Sequence, residues 1–204
     1  MKDIKNIIFD LGGVLLNIDF SITEKAFIEL GVNQFSEMFT QYHSNQLFVQ
    51  LETGKVSPEA FYDAFRSETR TDLSNEAIKN AWNALLLDFR EPSLEWLGKI
   101  KHKYRIFLFS NTNQIHQEAF IETYQQLTGK EDFDAYFEKA YYSHHLGMRK
   151  PDKEPFLHIL QEMNLVAEET LFIDDTIKNI ETAKALGIKT VHLQWPLTLP
   201  DLDL

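Results

Sequence analysis

NIIFDLGGVLLNID, residues 6–19, joins the short apolar run Ile7–Phe9 to an aspartate, Asp10, and then to two glycines where a second carboxylate might stand. A brief run of β-branched and aromatic residues ended by a turn signal reads as a buried strand. Four more runs of this kind follow: Ile106–Phe109, Ala140–Tyr142, Leu171–Ile173 and Thr190–Leu193. The segments between the later runs are amphipathic. In IKNIETAKALGI, Ile177, Ile180, Ala183 and Leu186 recur every three residues, and Gly187 stands where a helix C-cap belongs. Strands alternating with helices predict an α/β fold built on a parallel sheet.

Residues 20–90 break this rhythm. Ser57-Pro58 and Ser74 are helix starts, each an N-cap serine and the first followed by proline at N1. EAFYDAFRSE and NEAIKNAWNALL then follow at helical spacing, and no convincing strand interrupts them. The expectation is a Rossmann-like doubly wound parallel sheet with a helical cap inserted after the first strand. Residues 1–19 and 91–204 form the α/β core, residues 20–90 the all-helical cap, and Arg90 to Pro92 the return linker. Phe27, Phe39, Phe48, Phe61, Phe65 and Trp82 read as the cap's helix–helix core. The C-terminal QWPLTLPDLDL carries two prolines and reads as an extended surface segment.

Composition narrows the partners. A chain of 204 residues, 44% hydrophobic, can bury a sizeable core. Its formal charge of −11 repels nucleic acid and anionic membranes, so a small molecule is the expected partner. The absence of cysteine excludes disulfides, thiolate metal sites and a cysteine nucleophile, and fits a reducing compartment. Asp10 interrupts the N-terminal apolar run too early for a signal peptide or a membrane span, so a cytoplasmic location is expected.

Four polar clusters sit just beyond strand ends: Asp10, Ser110-Asn111, Lys150 and Asp174-Asp175. Alone, each has an ordinary explanation as a turn, a cap or a solvated lysine. Together they point to one crevice, because ligands of an open parallel sheet bind at the carboxyl ends of its strands. Three converging carboxylates repel one another unless a cation sits among them, and oxygen-only ligation with room for water and phosphate suits Mg²⁺. Lys150 then supplies positive charge to a phosphoryl oxygen, with Ser110 and nearby backbone N–H groups as donors. Asp10 is placed to attack phosphorus and form an aspartyl-phosphate.

IIFDLGG, FLFSNTN, GMRKPD and LFIDDTIKNIETAKALGI resemble, in order and over nearly the full chain, the motifs of the haloacid dehalogenase superfamily. The helical insertion is similar to that family's C1-type cap. Within the superfamily, FDLGGVLLNIDF, GMRKPD and IDDTIKN most resemble bacterial sugar-1-phosphate phosphatases and the N-terminal phosphatase domain of soluble epoxide hydrolases. The resemblance implies Asp10 as nucleophile. It implies the residue-12 carbonyl and Asp175 as Mg²⁺ ligands with Asp174 in support, and a phosphate site from Ser110, Asn111 and Lys150.

The departure is Gly12, where phosphatases of this superfamily commonly carry an aspartate that protonates the leaving group. A positioned general acid is worth roughly 10²–10⁴-fold, so readily departing groups should be favoured. Asp19, His144 and His145 are candidates to replace it, although Asp19 also reads as the start of the cap linker. His43 reads as an ordinary cap residue, while Arg149 and Arg90 read either as contacts for a substrate anion or as members of surface ion pairs. Two alternatives remain: a metal-independent haloacid dehalogenase, and a binding or regulatory protein on the same scaffold with weak or no catalysis.

Overall fold

The structure, a computed structural model, describes residues 3–41 and 43–204. The chain begins with β1 (Asn6–Phe9) and β2 (Leu16–Ile18). It then passes through α1 (Phe20–Glu29), α2 (Phe35–Met38), β3 (Phe39–Thr40), β4 (His43–Ser44), α3 (Gln46–Glu52), α4 (Pro58–Thr69) and α5 (Asn75–Asn83). It returns through β5 (Leu86–Phe89) to α6 (Glu91–Ile100), β6 (Arg105–Ser110), α7 (Gln114–Thr128), β7 (Lys139–Tyr142) and α8 (Ser143–Leu146). Last come α9 (Lys153–Glu162), β8 (Thr170–Asp174), α10 (Ile177–Ala185) and β9 (Lys189–His192).

The five expected apolar runs form one parallel sheet in the order β7-β6-β1-β8-β9. β1 lies at its centre, with Ile8 opposite Phe107 on one side and Phe172 on the other. A strand covered on both faces has to be apolar at every position, which is why these runs are continuous rather than alternating. Ile7, Phe9, Ile106, Leu108, Leu171 and Ile173 pack on one face against Leu94 and Leu97 of α6 and Phe120 and Tyr124 of α7. The residues between them, Ile8, Phe107, Phe109 and Phe172, pack on the other against Phe156 and Ile159 of α9 and Ile180 and Ala183 of α10. This is a doubly wound sheet. The chain runs outward from β1 to β6 and β7 and then crosses to β8, so the strand order reverses beside β1.

The cap has a core of its own. Phe27, Phe39, Phe48, Phe61, Phe65 and Trp82 are all buried in it, with Ile115 of α7 reaching in from the sheet domain. The expected N-caps form: Ser57 Oγ accepts from Ala60 N and Ser74 Oγ from Ala77 N. Asp19 caps α1 by accepting from Ser21 N.

Three expectations are corrected. The insertion is not all helical, since β3 and β4 pair in a two-residue ladder. The residues expected as the return linker, Arg90 to Pro92, begin α6 with Arg90 at its N-cap position, and the chain leaves the cap through β5, which pairs antiparallel with β2 and places Leu16 opposite Phe89. The C-terminal segment is not merely draped on the surface. Leu199 is buried in the core against the α6 side, and Thr198 and Asp201 form a capping box around a short 3₁₀ turn.

Candidate active site

The turn after β1 is set by backbone hydrogen bonds. Leu15 N and Leu16 N both donate to Leu11 O, and Gly13 N donates to Leu16 O. This tight loop holds Asp10 at the strand end, where its own N–H donates to Ile173 O of the neighbouring strand. Gly13 takes a left-handed conformation, φ +70°, and a Cβ there would collide with the Asp175 carboxylate. Only glycine allows the loop and Asp175 to approach so closely.

Lys150 is the hub. Its Nζ donates to Asp10 Oδ1 at 2.7 Å, to Asp174 Oδ2 at 2.8 Å and to Phe109 O at 2.9 Å, which uses all three ammonium protons. Asn111 holds the lysine's loop in place: its Nδ2 donates to Lys150 O and its Oδ1 accepts from Lys150 N. Ser143 fixes the adjoining turn, its Oγ accepting from Thr112 N and donating to Thr112 O. The Asn111 side chain therefore spends its oxygen and one of its two Nδ2 protons on the lysine loop.

The two acidic neighbours differ. Asp174 is fully buried, and its two oxygens accept from Lys150 Nζ, Thr176 N and Asn179 Nδ2. Those contacts occupy about all the lone-pair directions that a carboxylate has. Asp175 Oδ1 accepts from Thr176 Oγ1, and Asp175 Oδ2 lies close to Gly13. Behind it, the Asp175 carbonyl is hydrogen-bonded to His192 Nε2.

The electrostatics of this cluster favour a cation. One oxygen each of Asp10, Asp174 and Asp175 lies within 4.8 Å of the others. Burial pushes Asp10 up, Lys150 pulls it down, and the charges of Asp174 and Asp175 push it up again, to about 7. Burial raises Asp175 too, with the Asp174 charge adding to it. Burial would lower Lys150, but Asp10 and Asp174 outweigh it and hold the ammonium above its usual range. One ammonium among three carboxylates leaves unbalanced negative charge, and the donor set is all oxygen, so the residues fit Mg²⁺.

The cluster opens into a cavity of about 510 Å³ between sheet and cap. Ser110 and Asn111 line its floor, with Arg149, while Phe20, Phe39, Val49 and Glu52 come from the cap side. Phe39 thus serves both the cap core and the cavity wall. The structure brings Asp10, Gly12, Ser110, Asn111, Lys150 and Asp175 to the lining, with Asp174 directly behind. Asp19, His144 and His145 do not line this cavity: Asp19 caps a helix and His144 is bonded to Gln117. Arg90 lies outside the lining as well, bonded through Nε to Asn17 Oδ1.

Sequence reasoning missed two contributors. Glu52 sits in LETG at a helix end and pairs with Arg149, its Oε2 2.8 Å from Nη1. His116 stacks on Trp82 with centroids 4.4 Å apart and is bonded through Nε2 to Trp82 O, joining α7 to the cap. Neither has a local signal, because both are defined by partners in the other domain.

Fold and site together define a capped α/β hydrolase. The chain belongs to the haloacid dehalogenase-like hydrolases, whose family model matches residues 4–187. It is 33% identical over 187 residues to D-ribitol-5-phosphate phosphatase of Bacteroides thetaiotaomicron, covering 92% of this chain and 90% of that one. It is 30% identical over 192 residues to a sesquiterpene phosphatase of Aspergillus oryzae, covering 93% and 89%. Among solved structures it superposes, with a TM-score of 0.90 and 32% identity, on a haloacid dehalogenase family enzyme of Bacteroides thetaiotaomicron. That structure is of an aspartate-to-alanine variant in complex with magnesium and inorganic phosphate, and the match covers 97% of this chain and 98% of that one. Among the described residues, no helix is long and apolar enough to cross a membrane.

Proposed function

We propose that the chain is a Mg²⁺-dependent phosphohydrolase of a small phosphorylated metabolite, with a sugar or sugar-alcohol phosphate as the favoured class. The observation that carries the reading is Lys150 Nζ held between Asp10 and Asp174 inside a cluster of three carboxylates. The two phosphatases among the relatives support it, as does the magnesium-and-phosphate complex of the structural neighbour.

Asp10, the Gly12 carbonyl and Asp175 would hold the ion, and Asp174, saturated by its own hydrogen bonds, orients Lys150 instead. When bound, Mg²⁺ supplies charge neutralisation that lets an anionic phosphate approach an anionic nucleophile. Asp10 attacks phosphorus and the bond from phosphorus to the ester oxygen breaks, leaving an aspartyl-phosphate and an alkoxide that takes its proton from water to become the alcohol. Water then attacks the phosphoryl group, releasing inorganic phosphate and regenerating Asp10. Lys150 keeps the Asp10 carboxylate oriented and offers positive charge to the phosphoryl oxygens, with Ser110 and the backbone around Asn111 completing the cradle. A haloacid substrate is disfavoured, because its carboxylate would meet Asp174 and Asp175 with too little positive charge to offset them. A cytoplasmic location fits the lack of cysteine.

The test is phosphate release from a panel of phosphorylated metabolites with Mg²⁺, with EDTA, and with Asp10→Asn. Release that EDTA and Asp10→Asn both abolish supports the reading. Activity surviving either treatment contradicts it.

A further inference from the structure

The loop that carries Lys150 is held from two domains. On the core side Asn111 bonds both backbone groups of Lys150, its Oδ1 accepting from Lys150 N and its Nδ2 donating to Lys150 O. On the cap side the end of α3 meets the same segment twice. Gly54, with φ +64°, packs so closely on the His144 carbonyl that a Cβ would collide with it. Glu52 Oε2 lies 2.8 Å from Arg149 Nη1, and among the described residues nothing else holds the Arg149 side chain. The Arg149 carbonyl accepts from Asp152 N, so Arg149 opens the turn that presents Lys150.

Glu52 Oε2 and Arg149 Nε are closed to solvent, so the pair is a contact between domains rather than a contact with a ligand. A buried ion pair contributes little net stability, because desolvation of the two charges offsets their attraction. What it supplies is registry. It is favourable in one placement of its two elements and strongly unfavourable when either charge is left buried alone. The element placed here is the turn whose next residue is Lys150, with its Nζ shared between Asp10 and Asp174. A shift of about 1 Å in a group that takes part in chemistry can cost roughly 10²-fold in rate.

We infer that Glu52 is a positioning residue, which acts from the cap through Arg149 to set the Lys150 turn against Asp10. The inference rests on the phosphohydrolase reading, in which Lys150 serves the reaction. It goes beyond that reading by giving a cap residue a part in the chemistry that requires no contact with substrate. Loss of the pair therefore shows in kcat, through Lys150, and leaves KM almost unchanged.

The test is a double-mutant cycle on the hydrolysis of p-nitrophenyl phosphate with Mg²⁺. In the wild-type background Glu52→Met and Arg149→Met, made separately, should each lower kcat roughly 10–10²-fold and leave KM within about twofold. In the Lys150→Met background neither should lower kcat further by more than about twofold, because the group they position is gone. Equal fold losses in the two backgrounds overturn the inference, since a general loosening of fold or cap does not depend on Lys150. A loss confined to KM overturns it too, by making the pair part of the binding site. If Glu52→Met fails to fold, Arg149→Met carries the test alone. Burial already raises the Glu52 pKa, so a carboxyl left without its partner takes up a proton and stays buried neutral. Unchanged kcat in Arg149→Met overturns the inference by itself and leaves the phosphohydrolase reading standing. Wild type that releases no phosphate from p-nitrophenyl phosphate or from the metabolite panel overturns that reading, and this inference with it.

Discussion

Lys150 Nζ donates to Asp10 Oδ1 at 2.7 Å across 140 residues of chain, with the lysine side chain only 1% exposed. This contact ties the end of the central strand to the loop that follows β7. It also orients the carboxylate proposed as the nucleophile. Replacing Lys150 with Met should lower kcat by at least ~10²-fold, the scale of a lost electrostatic donor. It should also cost about 3–5 kcal/mol of stability in the metal-free protein, because buried Asp174 loses its ammonium. Steady-state kinetics and urea unfolding check both, and near-normal turnover would show that Lys150 is structural only.

Gly13 should prove more sensitive in metal binding than in folding. Its left-handed φ of +70° and the clash of a Cβ with Asp175 mean that Gly13→Ala must displace the carboxylate assigned to Mg²⁺. The half-saturating Mg²⁺ concentration for activity should rise roughly 10–100-fold, as when a metal ligand loses its support. A metal titration of the variant measures this. An unchanged midpoint would place Asp175 outside the coordination sphere.

Gly12 removes a proton donor, so turnover should depend steeply on leaving-group pKa across a graded series of phosphate esters. No residue proposed from the sequence fills the role, since Asp19, His144 and His145 all lie off the cavity. A Cβ at Gly12 would come 2.9 Å from Ile18 Cδ1, the far end of a flexible side chain. Gly12→Asp combined with Ile18→Val should therefore be accommodated. It should raise turnover of alkyl phosphates by roughly 10²-fold, the lower end for a general acid, and flatten the dependence. A flat dependence in wild type would show that another group already supplies the proton.

His116 predicts a pH-dependent link between cap and core. Burial lowers it from 6.5 to about 3 despite its bond to Trp82 O, so the folded state holds it neutral while the unfolded state can charge it. The unfolded chain thus binds more protons below its own pKa, and stability falls as pH drops from 6.5 toward 3. Against His116→Phe, which keeps the stack on Trp82 and does not titrate, wild type should lose about 2 kcal/mol between pH 7 and pH 5. Urea unfolding of both proteins at the two pH values gives this difference. A constant offset would mean that His116 does not titrate differently on folding.

The sheet was legible because a strand buried on both faces must be a continuous apolar run, and Ile7–Phe9, Ile106–Phe109 and Leu171–Ile173 are such runs. The strand-end carboxylates and Lys150 were legible as well, because an open parallel sheet brings its strand ends to one edge. What escaped was defined by partners distant in the chain. β2 and β5 become strands only by pairing with each other, and β3 and β4 are too short to show any periodicity. Leu199 lies between prolines and looks like a loop residue, yet the core buries it completely. Glu52 carries no local mark of function, since its meaning comes from Arg149 in the other domain.

The central claim is that Asp10 becomes phosphorylated. Mixing the Mg²⁺-loaded protein with p-nitrophenyl phosphate, quenching with acid within milliseconds and mapping the peptides by mass spectrometry tests it most directly. The account predicts one added phosphoryl group on the peptide containing Asp10, formed before the slower release of phosphate and absent in Asp10→Asn. Phosphate release at the wild-type rate by Asp10→Asn, or a phosphoryl group trapped on another residue, would contradict it.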